Sequence, residues 1–170
     1  CKVEEVDAVV FYDKPILKFE RLLRSQLQTF PQSFSHFVDG MPRWMATRLR
    51  LPKILKKELG YTGPLLYSEH HLSHAASSFY TSGWEEAAIL TVDGVGEWTT
   101  ASWGEGRGNT IRLRGEIHFP NSLGLLYSAF TYYTGFAVNE GEYKVMGLAT
   151  YGQPVYKDLI QSHLIDVKDD

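Results

Sequence analysis

The sequence predicts a mixed α/β fold, and three observations support this prediction. A β-branched and aromatic run from Val6 to Tyr12 predicts a buried strand near the start of the chain. Three further strand patterns, separated by glycine-containing turns, predict an antiparallel meander in the middle of the chain. Apolar residues at helical spacing before and after the meander predict flanking helices.

The first third of the chain is predicted to be mainly helical after its strand. Pro15 suits the first turn of a helix. From residue 33 to residue 60 the spacing stays helical but contains Gly40, Pro42 and Pro52, so we expect several short helices. Six basic side chains in this segment indicate either a solvated helix face or a basic rim near an anionic substrate or partner domain. They are Arg43, Arg48, Arg50, Lys53, Lys56 and Lys57.

The remaining elements follow from the same patterns. The predicted strands are 64–68, 87–93, 98–104 and 111–119, with turns at 94–97 and 106–109. The predicted helices are 70–80, 122–133, 143–149 and 154–165, and Ser122 is the expected N-cap of the second of these.

Composition excludes several classes of protein. The formal charge is −3, from 17 basic and 20 acidic residues, so no global basic field favours nucleic acid. Cys1 is the only cysteine, which excludes a disulfide framework and a cysteine zinc site. No apolar segment approaches membrane-spanning length, and no signal peptide is recognised. We expect a cytoplasmic protein that binds neither nucleic acid nor membrane.

The ends of the chain predict a piece of a longer polypeptide. The chain does not begin with Met, reaches a strand pattern almost at once, and stops at residues 168–170 just after a helical pattern. We therefore expect residues that complete an active site to lie outside it.

Two histidines and an aspartate are the candidate metal ligands. His70 and His74 are four residues apart in a predicted helix, so their imidazoles point the same way. Asp93 follows the apolar run 87–92, which is predicted to be a buried strand. Imidazole suits zinc, iron, copper and nickel, so the pair does not name the metal. The alternatives are a hydrogen-bonded core cluster for the histidines and a turn cap for Asp93. His71 is expected on another side of the helix, at the surface or behind the ligands.

Two glycine-containing segments are candidate phosphate sites. Gly94 and Gly96 form a turn after Asp93, where backbone N–H groups can face phosphate oxygens, with Thr99 behind it. Gly141 precedes a predicted helix whose N–H groups can bind an anion, and Lys144 adds charge there. The alternative for the second segment is a plain loop–helix junction.

Three segments together resemble the NodU/TobZ-type carbamoyltransferase family. They are EHHLSHAAS at 69–77, TVDGVGEWTT at 91–100 and GEYKVMGLATYG at 141–152. The opening runs VFYDKP at 10–15 and KFER at 18–21 are also similar to that family. The likeness therefore covers nearly the whole chain.

The resemblance implies a fold and an activity. The implied fold is part of an actin-like (ASKHA, ribonuclease H-like) lobe in a single incomplete domain. Residues 1–63 would be a strand with a family-specific helical segment, and residues 64–170 an actin-like core. The implied activity is ATP-dependent transfer of a carbamoyl group from carbamoyl phosphate, through carbamoyl-adenylate, to a hydroxyl of a small molecule.

The resemblance also assigns roles to residues. His70, His74 and Asp93 would ligate a divalent metal, namely iron, with zinc or manganese as alternatives. The nucleotide would be bound by six further residues. They are Gly94, Gly96, Glu97, Thr99, Gly141 and Lys144. The catalytic base, the last metal ligand and a YrdC-like domain of the same polypeptide would lie outside this chain, which should be inactive alone.

Three other interpretations stay open at this stage. The first is a TsaD-like or HypF-like protein that uses carbamoyl-adenylate for another acceptor. The second is a metal-free structural lobe that docks the rest of its polypeptide. The third is a sugar-kinase-like phosphotransferase, whose signature does not need the histidine pair.

Overall fold

The computed structural model describes residues 2–166 and has a mixed α/β fold, as predicted. Within these residues there are five strands, one 3₁₀ turn at Val3–Glu5 and seven α-helices. The strands are β1 Val9–Phe11, β2 Leu65–Tyr67, β3 Glu86–Val92, β4 Thr99–Arg107 and β5 Thr110–His118. The helices are α1 Pro15–Gln28, α2 Phe34–Thr47, α3 Leu51–Leu59, α4 His70–Ser82, α5 Leu123–Tyr133, α6 Glu142–Ala149 and α7 Lys157–His163.

The chain divides into two compact units, Cys1–Leu125 and Leu126–Asp170. The division at residue 63, which the resemblance implies, stays a prediction. Cys1 and residues 167–170, on which part of the expectation about the chain ends rests, lie outside the described residues. Among the helices of residues 2–166, none combines the length and apolar character that a membrane span requires.

A parallel pair of short strands opens the first unit. β1 pairs with β2 in the register Val9↔Leu65 to Phe11↔Tyr67. The predicted strand at residues 6–12 is therefore shorter than expected, and it is not buried. Val10 and Leu66 are paired across the sheet and are 62% and 52% exposed, because no described element covers this face.

The predicted meander is confirmed as a three-stranded antiparallel sheet with the order β3-β4-β5. β4 runs three residues beyond its predicted end, and the turn comes at Gly108 and Asn109 rather than at residues 106–109. Gly106 stays in the strand because the ring of Phe79, on α4, packs against it. Gly108 has φ +55°, a left-handed conformation that glycine adopts without steric cost.

The core of the first unit lies between α4 and one face of this sheet. Ala75 and Phe79 of α4 pack with Ile89 of β3. The expectation that residues 87–92 form a fully buried strand is wrong for the other face, where Leu90 is 72% and Val92 54% exposed. The run is apolar apart from Thr91, but the described residues cover it on one side only.

α2 is one continuous helix, although Gly40 and Pro42 predicted an interruption. A proline inside a helix removes one backbone hydrogen bond, and its ring then has to be accommodated by the preceding turn. The remaining hydrogen bonds keep α2 intact to Thr47, and α3 follows as a separate helix. α3 ends at Gly60, whose φ is +62°.

The helix starts and ends after the meander agree with the sequence to within a few residues. Ser122 caps α5 as predicted, because its Oγ accepts the N–H of Leu125 at 3.0 Å. In the second unit, Gly135 follows the end of α5 with φ +87°. α6 begins at Glu142, and α7 is shorter than the predicted 154–165.

Candidate metal centre

The first turn of α4 places the two histidines. α4 begins at His70, so His74 lies one turn further on and faces the same side. Their Nε2 atoms are 3.1 Å apart. The helix start is fixed by the carboxylate of Glu97, which accepts the backbone N–H of His70 at 3.1 Å from Oε2 and 3.3 Å from Oε1. Such an acceptor satisfies one of the free N–H groups of a helix N-terminus.

Asp93 reaches the histidines from the end of β3. Its backbone N–H donates to the carbonyl of Thr100 at 2.9 Å, so the sheet fixes its position. Its Oδ1 accepts the N–H of Gly94 at 2.7 Å. Its Oδ2 lies 2.8 Å from Nε2 of His70 and 3.7 Å from Nε2 of His74. One carboxylate oxygen thus orients the side chain and the other faces the imidazoles.

The three side chains fit a metal ion. They offer one ligand atom each, and these atoms all lie within 4.8 Å of one another. Metal–ligand bonds of about 2.1 Å place neighbouring ligand atoms roughly 3–3.5 Å apart. Of the three observed separations, 3.1 Å lies within this range, 2.8 Å lies just below it and 3.7 Å lies just above it. Two imidazoles and one carboxylate are a donor set used for iron and zinc, and they leave coordination positions open.

The charge of the centre favours a cation. The hydrogen bond from His70 holds the pKa of Asp93 well below its ordinary value. The N–H of Gly94 acts in the same direction, whereas burial opposes both. Asp93 is therefore ionised near neutral pH. The side chains of Asp93 and His74 are 33% and 49% exposed, so the centre is open to solvent.

His71 points away from this centre and is buried, not at the surface. It is 3% exposed, and its Nδ1 lies 2.6 Å from Oγ1 of Thr91. Thr91 is in turn 2.7 Å from Oγ of Ser102, its register partner on β4. Burial lowers the pKa of His71, which favours the neutral imidazole. Sequence reasoning missed this polar chain, whose only signal is a Thr and a Ser on the inward face of two paired strands.

Glu97 lies next to the first turn of α4 and links three segments through hydrogen bonds. It is 7% exposed. Besides His70, its carboxylate accepts the N–H of Lys14, just before α1, at 2.7 Å from Oε1. Its carbonyl accepts Nε of Arg21 at 2.6 Å. These contacts make Glu97 a link between α1, α4 and the glycine turn. Its expected contact with a nucleotide stays a prediction.

The N–H groups of Gly94 and Gly96 already make hydrogen bonds to residues next to the glycine turn. That of Gly94 donates to Asp93, and that of Gly96 donates to the carbonyl of Thr99 at 2.9 Å. A Cβ at Gly96 would lie 3.0 Å from Cβ of His70, so glycine lets α4 approach the turn. The hydroxyl of Thr99 donates to Glu116 at 2.6 Å. A phosphate bound to these N–H groups would have to replace bonds within the turn.

Gly141 and Lys144 belong to the second unit, at the start of α6. The carboxylate of Glu142 accepts the N–H groups of Asn139 at 3.0 Å and Gly141 at 3.3 Å. The N–H of Asn139 is the main cause that lowers the pKa of Glu142. The ammonium of Lys144 lies over the ring of Tyr143, 5.8 Å from its centroid. Their role in nucleotide binding stays a prediction.

Comparison with known proteins gives a family and several relatives. A sequence profile described as "Carbamoyltransferase N-terminus" matches residues 1–170. The uncharacterized protein sll1178 of Synechocystis sp. is 53% identical over 176 residues, which cover 99% of this chain and 29% of that protein. The nodulation protein NolNO of Sinorhizobium fredii is 32% identical over 164 residues, with coverages of 94% and 23%.

A further nodulation protein, NolO of Bradyrhizobium diazoefficiens, is 41% identical over 87 residues, which are 50% of this chain and 15% of that protein. The chain thus spans less than a third of the length of these curated relatives.

Proposed function

The chain belongs to the carbamoyltransferase N-terminus family, and on this premise we propose that it is part of an ATP-dependent O-carbamoyltransferase. The complete enzyme transfers a carbamoyl group from carbamoyl phosphate, through carbamoyl-adenylate, to a hydroxyl group of a small molecule in the cytoplasm. The observation that carries this proposal is the convergence of His70, His74 and Asp93 in a chain of this family.

The finer fold assignment belongs to the same proposal. Residues 64–170 form part of an actin-like, ribonuclease H-like lobe, and residues 1–63 are a family-specific addition. The three-stranded meander with α4 packed on one face supports this assignment. A YrdC-like domain of the same polypeptide makes carbamoyl-adenylate, and the catalytic base lies outside the present chain.

The residues of this chain bind and orient the reactants. His70, His74 and Asp93 hold a divalent metal, namely iron or, alternatively, zinc or manganese. When bound, the metal supplies Lewis-acid polarisation of phosphate and carbamoyl oxygens. Glu97 fixes the backbone of His70, and the hydrogen bond of Gly94 fixes one oxygen of Asp93. The ligand atoms are therefore oriented before a substrate arrives, which reduces the reorganisation needed during transfer.

Two places in the chain, one in each unit, are proposed to bind phosphate groups. In the glycine turn, a phosphate oxygen can replace the carbonyl of Thr99 as the acceptor of the Gly96 N–H. At the start of α6, an anion can replace the carboxylate of Glu142 at the N–H of Gly141, and the ammonium of Lys144 adds positive charge there. ATP and carbamoyl phosphate are substrates in this scheme, and the acceptor is a hydroxylated small molecule.

The full-length protein with its metal provides the test. It is incubated with ATP and carbamoyl phosphate, and carbamoyl-adenylate and carbamoylated product are measured separately with a panel of hydroxylated acceptors. His74→Ala should remove most bound metal and abolish transfer, while adenylate formation in the other domain continues. His36→Ala, an exposed histidine of α2, is the matched control and should leave both steps unchanged.

Three results would contradict the proposal. A full-length protein that forms no carbamoyl-adenylate would favour a docking lobe without catalytic function. Equal loss of both steps in His74→Ala, with the protein still folded, would remove the proposed division between the two domains. Transfer to tRNA instead of a small molecule would favour the TsaD-like alternative.

A further inference from the structure

A second concave site lies in the first unit, apart from the histidines. A cavity of about 410 Å³ opens between the start of α1, the end of β2 and the junction of α2 with α3. Its lining includes none of the three candidate metal ligands. Its apolar walls are formed by Pro15, Ile16, Leu17, Leu49, Pro52 and Tyr67.

The size and the walls of this cavity suit a small organic molecule. Pockets that hold such ligands usually measure roughly 300–1,000 Å³ and are mainly apolar. Ile16 is 75% exposed and Leu49 38% exposed, although both line the cavity. An occupant would cover apolar surface at the mouth of the cavity, which is favourable in water.

Two positively charged side chains line the cavity, and one of them has no carboxylate partner among the described residues. The ammonium of Lys14 pairs with Glu69 at 2.8 Å. The guanidinium of Arg48 lies over the ring of Trp44, 5.8 Å from its centroid. Within residues 2–166, Arg48 makes no ion pair, and no acidic residue lines the cavity. Arg48 therefore places beside the apolar walls a positive charge that no carboxylate of the described residues neutralises.

We propose that this cavity binds a small organic anion with an apolar body, of the class of medium-chain aliphatic carboxylates. The apolar body contacts the walls, above all Leu49 and Tyr67, and the carboxylate pairs with the guanidinium of Arg48. A planar guanidinium binds a carboxylate through two parallel hydrogen bonds, which a neutral analogue cannot reproduce. The complementarity of charge selects this class, and the proposal does not depend on the proposed function.

The cavity and the candidate metal centre are connected by the hydrogen bonds of one side chain. The carboxylate of Glu97 accepts the N–H of Lys14, which lines the cavity, and also the N–H of His70. One buried carboxylate therefore contacts both a residue of the cavity lining and the helix that carries the candidate ligands. Both sites lie within the first unit.

The test is a calorimetric titration of the full-length protein with octanoate and with octanamide. Octanoate should bind saturably, and about tenfold more tightly than octanamide, because a charge-assisted pair is lost in the amide. Arg48→Gln should weaken octanoate about tenfold and leave octanamide unchanged. Leu49→Trp, which fills the cavity, should weaken both ligands. Arg50→Gln, a nearby arginine that does not line the cavity, should change neither.

Several outcomes would overturn the proposal. They are the absence of saturable octanoate binding, equal affinity for octanoate and octanamide, and octanoate binding that Arg48→Gln or Leu49→Trp leaves unchanged. A loss in Arg50→Gln equal to that in Arg48→Gln would also overturn it, because the effect would then come from general positive charge. Arg48 and Leu49 are exposed, so both variants should fold, and their urea midpoints verify this.

Discussion

Glu97 joins two distant segments of the first unit through one buried carboxylate. We predict that Glu97→Ala lowers the free energy of unfolding by about 2–3 kcal/mol, because the N–H groups of Lys14 and His70 lose a charged acceptor. Urea unfolding followed by circular dichroism measures the change. Glu97→Gln keeps one carbonyl oxygen and should lose less than Glu97→Ala. A Glu97→Ala variant within 0.5 kcal/mol of the parent, inside the scatter of surface changes, would contradict this role.

Glu116 provides a prediction about pH. The hydroxyl of Thr99, and then His118, hold the pKa of Glu116 below its ordinary value, although burial opposes them. A carboxylate with a lowered folded-state pKa stabilises the fold above its unfolded pKa of about 4.3. This contribution is lost as the pH falls through the folded-state pKa. Glu116→Gln should therefore cost stability at pH 6 and progressively less towards pH 3.

Urea midpoints of the parent and of Glu116→Gln at both pH values test this prediction. Glu85→Gln is the control, because the Glu85 side chain makes no ion pair or hydrogen bond within residues 2–166. It should lower stability by a similar small amount at both pH values, or not at all. A Glu116→Gln difference that grows towards pH 3 would contradict the assigned direction of the pKa shift.

The residues of the candidate centre differ in how far the sequence predicts them. The i,i+4 spacing of His70 and His74 is local, so helix geometry alone places their rings together. Asp93 follows from its position after a strand. The contact between Glu97 and Lys14 spans 83 residues, and no local pattern encodes it. Only the fold brings such partners together, so the sequence does not predict the contacts of Glu97 with Lys14 and His70.

At the scale of elements, the packing of α4 on the sheet depends on a glycine. We predict that Gly106→Ala lowers the free energy of unfolding by about 1–3 kcal/mol, because its Cβ would lie 2.6 Å from the ring of Phe79, which is 4% exposed. Gly40→Ala in α2 is the matched control, with no heavy atom within 4 Å of the added Cβ. It should raise stability by about 0.5–1 kcal/mol, since alanine favours a helix.

Urea unfolding of both variants distinguishes steric from intrinsic effects of the added methyl group. A Gly106→Ala variant as stable as the parent would mean that Phe79 moves aside without cost. Equal destabilisation by both substitutions would contradict the role given to the Phe79 contact. The pair therefore tests one contact between a helix and a strand, not the general effect of replacing glycine.

The elements themselves were predicted to different degrees. The meander follows from alternating strand patterns and turn glycines, and it is confirmed. The extension of β4 through Gly106 was missed because glycine reads as a turn residue in sequence, whereas here it makes room for Phe79. The continuity of α2 through Pro42 was missed because the surrounding helical spacing outweighs a single interruption.

At the scale of the whole molecule, apolar side chains remain exposed on the face of the sheet opposite α4. Leu90 is 72%, Val92 54% and Trp103 46% exposed, and Leu90 and Trp103 are paired across β3 and β4. A nearly continuous apolar run, such as residues 87–92 with Thr91 as its one polar member, is typical of strands buried on both faces. The sequence therefore predicted burial that the described residues provide on one face only.

From this exposed apolar face we predict that molecules of the 170-residue chain associate with one another. Contiguous apolar surface favours contacts between molecules, and the net charge of −3 opposes them weakly. Leu90→Lys should reduce concentration-dependent association in sedimentation velocity, and should change the free energy of unfolding by no more than about 0.5 kcal/mol because Leu90 is exposed. Ala88→Lys adds the same charge on the same exposed face of β3 without removing a large apolar group, so it should reduce association less. Equal effects of the two variants would assign association to charge alone, and a large loss of stability in Leu90→Lys would show that this face is covered in solution.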